Sequence, residues 1–208
     1  GGGEPMVYPY IKEFLEELAK YPIELAIVTN GASLNEHIQS RLKNLKWIRF
    51  SLDAFTAETH SKVHRVPPSV FSVVLKHIKE VVARGFEDCK VGISFVITKH
   101  NYHEIEEAAH FYKDLGVDNI RFTFTYDPEG EGRLTPEETR LAERSVNRAR
   151  RLQDEELQVF GTMRRLEFYS QPNTDFHFRG YQFFTWSIGY EGLVYPCCII
   201  KYHKGFAL

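Results

Sequence analysis

The chain opens on Gly1-Gly2-Gly3-Glu4-Pro5, its most concentrated chemical signal. Glycines let a backbone approach a ligand closely and adopt positive φ, leaving amides and carbonyls bare for hydrogen bonding. Pro5 suits a first helical turn, and Glu4 favours that turn's positive end. Four further clusters recur behind apolar runs: Thr29-Asn30-Gly31, Ser51-Leu52-Asp53, Thr98-Lys99-His100-Asn101 and Thr125-Tyr126-Asp127. Small polar side chains recur in these clusters. A simple anion site at the glycines fits less well, because Glu4 is acidic and the loop has no Lys.

The elements behind these clusters alternate. The apolar stripe from Val7 to Leu18 predicts a helix, stopped by Tyr21-Pro22. Ile23 to Val28 reads as a buried strand, and Ser33-Leu34-Asn35-Glu36 as a capping box opening a helix to about Leu45. Trp47 to Leu52 is a strand. Thr56 caps a short helix through His60, and Ser69 caps a longer one to Ala83, closed by Gly85. Lys90 to Ile97 is a strand, and Asn101 to Leu115 a helix with Asn101 as its N-cap. Asn119 to Thr125 is a strand. Thr135-Pro136-Glu137-Glu138 is a second capping box, opening a polar, surface-lying helix to about Gln153 whose arginines form a solvated face. Strand and helix in alternation predict a mainly parallel sheet, where functional residues sit past the carboxyl ends of the strands. The five clusters occupy those positions and converge on one site. Beyond residue 155, Val159 to Tyr169 reads as a strand and Gln182 to Ile200 as a hairpin around Glu191-Gly192.

Composition sets the boundaries. The 208 residues are 43% hydrophobic and 26% charged, as in ordinary globular proteins, with a net charge of -2 that gives no case for nucleic acid. No apolar run approaches a membrane span, and no signal peptide is visible. Cys89, Cys197 and Cys198 are too sparse for a disulfide framework, which favours a reducing compartment such as the cytoplasm. Three glycines without a Met at one end, and Lys204-Gly205-Phe206-Ala207-Leu208 at the other, read as the ends of a piece of a longer protein.

Gly-Gly-Gly-Glu-Pro, then a helix, a strand ending in Thr-Asn-Gly and a strand ending in Ser-Leu-Asp, resembles the radical S-adenosylmethionine (SAM) superfamily over residues 1 to 125. The resemblance implies an α/β fold, a partial (β/α)6-type TIM barrel with a mainly parallel sheet, followed by a small hairpin-containing extension. It implies that the backbone of Gly1, Gly2, Gly3, Glu4 and Pro5 holds the cofactor's amino group. Ser51 and Asp53 would meet its ribose or carboxylate, Arg65 in His60-Ser61-Lys62-Val63-His64-Arg65 its carboxylate, and the backbone near Val96 and Phe122 its adenine. Asn30 is either a cofactor contact or a turn residue, and Asn101 a cap or a ligand contact. Ser51 and Asp53 could instead cap the following helix, Arg65 could be a surface charge, and His60 and His64 share a helical face without the pattern of a metal site. Cys89 reads as structural.

The family's [4Fe-4S] cluster is held by Cys-x3-Cys-x2-Cys, which this sequence lacks; the resemblance places that loop before Gly1. Gly192-Leu193-Val194-Tyr195-Pro196-Cys197 is similar to the start of SPASM or twitch extensions, making Cys197, and secondarily Cys198, candidate ligands of an auxiliary iron–sulfur cluster. The expected organisation is a core over residues 1–154 and an accessory module over 155–208. The expected activity is a 5′-deoxyadenosyl radical abstracting hydrogen from a peptide or small-molecule substrate, with an external electron donor and neither nucleic acid nor membrane as partner. The alternative is a non-catalytic barrel that recognises a peptide or cofactor as a scaffold.

Overall fold

The computed structural model describes residues 3–124, 132–162, 186–189 and 191–196. Strands β1 (Ala26–Thr29), β2 (Trp47–Ser51), β3 (Lys90–Ile97), β4 (Asn119–Phe124) and β5 (Gln158–Thr162) form one sheet in the order β1-β2-β3-β4-β5. All four pairings are parallel. Parallel neighbours need crossovers, and helices supply them. Helix α1 (Ile11–Leu18) precedes β1, and α2 (Glu36–Gln39) with a short 3-10 turn joins β1 to β2. Helices α3 (Ala57–His64) and α4 (Ser69–Ala83) join β2 to β3, α5 (Ile105–Asp114) joins β3 to β4, and α6 (Pro136–Ala149) lies between β4 and β5. This is the mainly parallel α/β sheet expected of a partial barrel. No helix among the described residues is long and apolar enough to cross a membrane.

The period-2 pleat gives the sheet two unlike faces. Ile27, Ile48, Phe50, Ile93, Phe95, Ile97, Ile120 and Phe122 pack with the helices in one apolar core. Residues of the opposite face, including Arg49, Ser51, Ser94, Val96 and Thr123, are only half-buried. Register aligns this second face into rows. Arg49 pairs with Gly92 and Gly92 with Asn119; Ser51 pairs with Ser94, Ser94 with Arg121 and Arg121 with Phe160.

Several boundaries differ from local expectation. Ile23 is exposed and the strand starts at Ala26, because Ile23 has no sheet neighbour to bury it. Asn35, not Ser33, caps α2, its Oδ1 accepting from the Ile38 amide at 3.1 Å, and the helix ends at Gln39. Ser69 is the first residue of α4 behind Pro68, which makes no side-chain cap. Helix α3 runs on past His60 to His64. Thr56 caps α3, and Thr135 with Glu138 completes a full capping box with Pro136 at the first turn of α6. Helix α6 is not wholly a surface element, since Ala142, Val146 and Ala149 are buried. Strand β5 pairs with β4, so the sheet runs past residue 154 to Thr162. The hairpin around Glu191-Gly192 is present as β6 (Ser187–Ile188) antiparallel to β7 (Val194–Tyr195), with Gly192 at φ 81°.

Gly31, past the end of β1, is fixed by two requirements. Its φ is 75°, and a Cβ there would lie 2.7 Å from Phe50 Cδ1 and 3.1 Å from Val74 Cγ1. Gly31→Ala is expected to lower unfolding free energy by about 2–4 kcal/mol, from overpacking plus left-handed backbone strain, measured by urea titration. A change under about 0.5 kcal/mol, the range of an ordinary surface substitution, would contradict this packing.

Candidate functional site

The glycine loop and the mouth of β1 are tied together by one carboxylate. Glu4 caps the short 3-10 turn Pro5–Val7, its Oε1 accepting from the Met6 amide at 3.0 Å. The same oxygen accepts from the Thr29 hydroxyl at 2.6 Å, and Oε2 accepts from the Asn30 amide at 2.6 Å. Thr29, itself buried, accepts from the Gly31 amide at 3.0 Å. Asn30 is a turn residue: its Oδ1 accepts from the Ala32 amide at 2.9 Å. Its side chain is nonetheless exposed at the mouth. Gly3 has φ 76° with open space where a Cβ would stand, so it is a glycine for conformation rather than room. Gly1 and Gly2 lie outside the described residues. Glu4 therefore works as a strut, turned inward from the loop it belongs to.

The loop after β2 is pinned more firmly. Asp53 is buried and holds a left-handed φ of 54°, a conformation costly for a residue with a Cβ. Its Oδ1 accepts from the Val96 amide at 2.6 Å and its Oδ2 lies 3.3 Å from His64 Nε2. Asn101, fully buried, donates from Nδ2 to the carbonyls of Asp53 at 2.8 Å and Val96 at 2.9 Å, and accepts from the Thr98 amide at 2.7 Å. It makes no cap bond to the turn that follows it. Tyr112 donates to the Ala54 carbonyl at 2.6 Å, and Glu104 accepts from the Phe55 amide at 2.9 Å and from the Thr59 hydroxyl. The backbone at Val96 is thus already engaged within the chain. Phe122 is a core residue whose ring packs 5.4 Å from that of Phe95, with its backbone in mid-strand.

Ser51 and Arg65 are differently placed. Ser51 faces the half-buried side of the sheet and its hydroxyl has no partner among the described residues. Arg65 ends α3 with φ 56°, its amide donating to the Ser61 carbonyl. Its guanidinium is exposed and unpaired among the described residues. Both can therefore receive a ligand without breaking an existing contact.

His64 entered the sequence reading only as sharing a helical face with His60. Leu52 O at 3.2 Å and Asp53 Oδ2 are both acceptors, so His64 Nε2 carries the proton. Burial pulls its pKa down, but the hydrogen bond and charge of Asp53, with the Leu52 carbonyl, outweigh this and leave it raised. His60 stacks on His64 with ring centroids 4.6 Å apart, and its Nδ1 is buried without a partner among the described residues. Burial first, and then the neighbouring His64, push its pKa down to about 4. The i,i+4 spacing of the two was visible in the sequence; the carboxylate between them and the sheet was not.

No group of three His, Cys, Asp or Glu side chains among the described residues could hold a metal ion. Cys89 is buried, and burial with Asp118 pushes its thiol up to about 11, which makes it a core residue rather than a ligand. Cys197 and Cys198 lie outside the described residues. The described side chains do not make up a ligand set for an iron–sulfur cluster. They do fit an amino-acid-bearing, ribose-bearing cofactor, for which Gly3, Asn30, Ser51 and Arg65 offer open backbone, an amide, a hydroxyl and a cation.

Comparison with known proteins points to one family. The family model described as Radical SAM superfamily matches residues 1–112. Mycofactocin maturase MftC of Mycobacterium ulcerans is 30% identical over 134 residues, 64% of this chain and 35% of that protein. The chain thus aligns with about a third of this curated relative's length. Streptococcus suis SuiB bound to S-adenosylmethionine superposes with a TM-score of 0.74 at 19% identity, over 100% of this chain and 50% of that one. SuiB bound to its precursor peptide SuiA superposes with a TM-score of 0.71 at 18% identity, over 96% and 48% of the two chains.

Two outcomes follow from this geometry. Asn101→Ala strands the Asp53 and Val96 carbonyls and the Thr98 amide, and is expected to lower stability by about 3 kcal/mol in urea unfolding. Acid should act through His60: it ionises near 6.5 when unfolded but only near 4 when native, so stability falls as pH drops through that window. His64 has the opposite sign: its raised pKa adds stability that is complete below its ordinary value and disappears as pH rises through its native value. His60→Leu should flatten the acid-side fall in urea midpoints, and an unchanged slope would refute the assignment.

Proposed function

This chain belongs to the radical SAM superfamily, and on that premise we propose that it binds S-adenosylmethionine across the mouths of β1 and β2 and modifies a peptide substrate. The observation that carries the reading is the Glu4 carboxylate, which fastens the glycine loop to Thr29 and Asn30 at the mouth of β1, the strand paired in parallel with β2, which ends on Ser51. In this reading the loop backbone accepts the cofactor's ammonium, Arg65 meets its carboxylate, and Ser51 donates to ribose or carboxylate. Asp53 contributes by position: its oxygens face Val96 and His64, and it holds the end of β2 in place. The backbone near Val96 and Phe122 lies by the adenine in this reading. Once bound and given one electron from a reduced [4Fe-4S] cluster, the cofactor would break its sulfur–C5′ bond to leave methionine and a 5′-deoxyadenosyl radical for hydrogen abstraction.

The peptide as substrate class rests on relatives named as a maturase and as a complex with a precursor peptide. The [4Fe-4S] cluster and an external electron donor belong to the complete protein in this proposal, since the Cys-x3-Cys-x2-Cys motif is absent from these 208 residues. We assign the core to the sheet through β5 and the hairpin β6–β7 to an accessory module, with Cys197 and then Cys198 as its candidate cluster ligands. The sparse cysteines support a cytoplasmic location.

The test uses protein expressed from the complete gene, reconstituted anaerobically with iron and sulfide. S-adenosylmethionine should bind, with Arg65→Gln and Ser51→Ala each weakening affinity roughly tenfold, the worth of one charge-assisted hydrogen bond. 5′-Deoxyadenosine should appear on reduction. No binding would sink the proposal. Binding without iron uptake or 5′-deoxyadenosine would favour a scaffold that holds the cofactor without turnover.

A further inference from the structure

Two arginines on the half-buried face of the sheet have no part in the cofactor site just described. Arg49 projects from the middle of β2 and is half-buried. It lies over the ring of Trp47, 4.9 Å from its centroid, and its Nη2 donates to Asn119 Oδ1 at 3.2 Å. That reach crosses β3 and is open only because Gly92 stands between them: a Cβ at Gly92 would collide with the Asn119 side chain. Arg121 projects from β4 one register row nearer the strand mouths, beside Ser94 and Ser51. With Arg150, Val159, Phe160 and Gly161, the two arginines line a cavity of about 480 Å³.

The charges do not balance. Neither Arg49 nor Arg121 meets a carboxylate among the described residues. Arg49 Nε is buried and without a partner there. Burial and the charge of Arg121 both act against the Arg49 cation. An unsatisfied buried N–H is costly, and a half-buried cation beside a second cation adds to that cost. One bridging oxyanion would relieve all of these at once, taking the fork of Arg49 and the guanidinium of Arg121 as charge-assisted hydrogen bonds. Ser94, whose hydroxyl is also without a partner among the described residues, adds a neutral donor in the Arg121 row. Phe160, 46% exposed, supplies an apolar wall for whatever carries the charge.

We infer that Arg49 and Arg121 form a binding site for an oxyanionic group, a carboxylate or a phosphate, joined to an apolar body. Arg121 is level with Ser51 at the end of β2, and Arg49 lies two residues, about 7 Å at roughly 3.3 Å per strand residue, below it, so a molecule seated at Arg49 can reach the mouths with its other end. That this group belongs to the substrate rests on the reading as a radical SAM enzyme; the oxyanion site itself does not.

Isothermal titration of the full-length protein at low salt with two probes, inorganic phosphate and glutarate, tests it. At least one probe should bind in the millimolar range, and the preferred one tells a phosphate source from a carboxylate source. Arg49→Gln and Arg121→Gln should each weaken binding roughly tenfold or more, while Arg144→Gln on the exposed side of α6 leaves it unchanged. Affinity for S-adenosylmethionine, measured in parallel, should stay within about twofold in every variant, since neither arginine is placed against the cofactor. Binding of neither probe, or equal binding by both inner-face variants, overturns the inference; a chain carboxylate that already bridges the arginines gives that result. Should Arg49→Gln fail to fold, Arg121→Gln decides, because its side chain is exposed. Probe binding without S-adenosylmethionine binding keeps this site and removes the cofactor reading; the reverse removes only this site.

Discussion

The buried Asp53 carboxylate is the interaction on which the placing of the site depends. It joins the end of β2 to the Val96 amide of β3 and to His64 at the last turn of α3. Its left-handed backbone would relax in isolation, and it persists because five neighbours over-determine the loop: Val96, Asn101, Tyr112, Glu104 and His64. Ser51 immediately precedes this loop and Arg65 immediately follows α3, so both inherit their positions from it. A soft loop here would leave those two side chains present in sequence and uncommitted in space.

The sheet divides its labour by face. One side is apolar save for Thr29 at the end of β1 and buries its residues against the helices, which supplies the stability. The other carries hydroxyls and cations at partial exposure, an expensive arrangement for a fold with nothing to bind. The pinned loop draws on the first face as well: Tyr112, wholly buried between the sheet and its helices, reaches the Ala54 carbonyl, and burial drives its phenol pKa well up, so it remains a donor. Core packing and site geometry are thus joined through single side chains.

Much of this was legible in the sequence wherever the signal was local. Lys90 to Ile97 has the period and composition of a strand and is one; Thr135 to Glu138 has the spacing of a capping box and forms one. Local reading failed where a residue's partner lies far along the chain. Ile23 is apolar enough for a strand, yet no neighbour covers it. Asn101 sits where a cap belongs, but Asp53 and Val96 compete for its amide and win, because burial makes their carbonyls costlier to leave unpaired than an exposed first turn. Glu104, three residues after Asn101, reaches back to Phe55 and Thr59. The glycine loop and Thr-Asn-Gly were each recognisable; that Glu4 binds them to one another was not.

Gly92 leaves a gap in the middle strand through which Arg49 and Asn119 meet. The three residues sit on three different strands and share one register row. Any larger residue at 92 must displace Asn119, and once Asn119 is displaced the Arg49 side chain loses its only hydrogen-bond partner among the described residues. Single steps away from this triplet are therefore blocked while joint replacements are open. Among descendants of a common ancestor, the three positions should drift as a unit, an epistatic lock set by one missing methyl group.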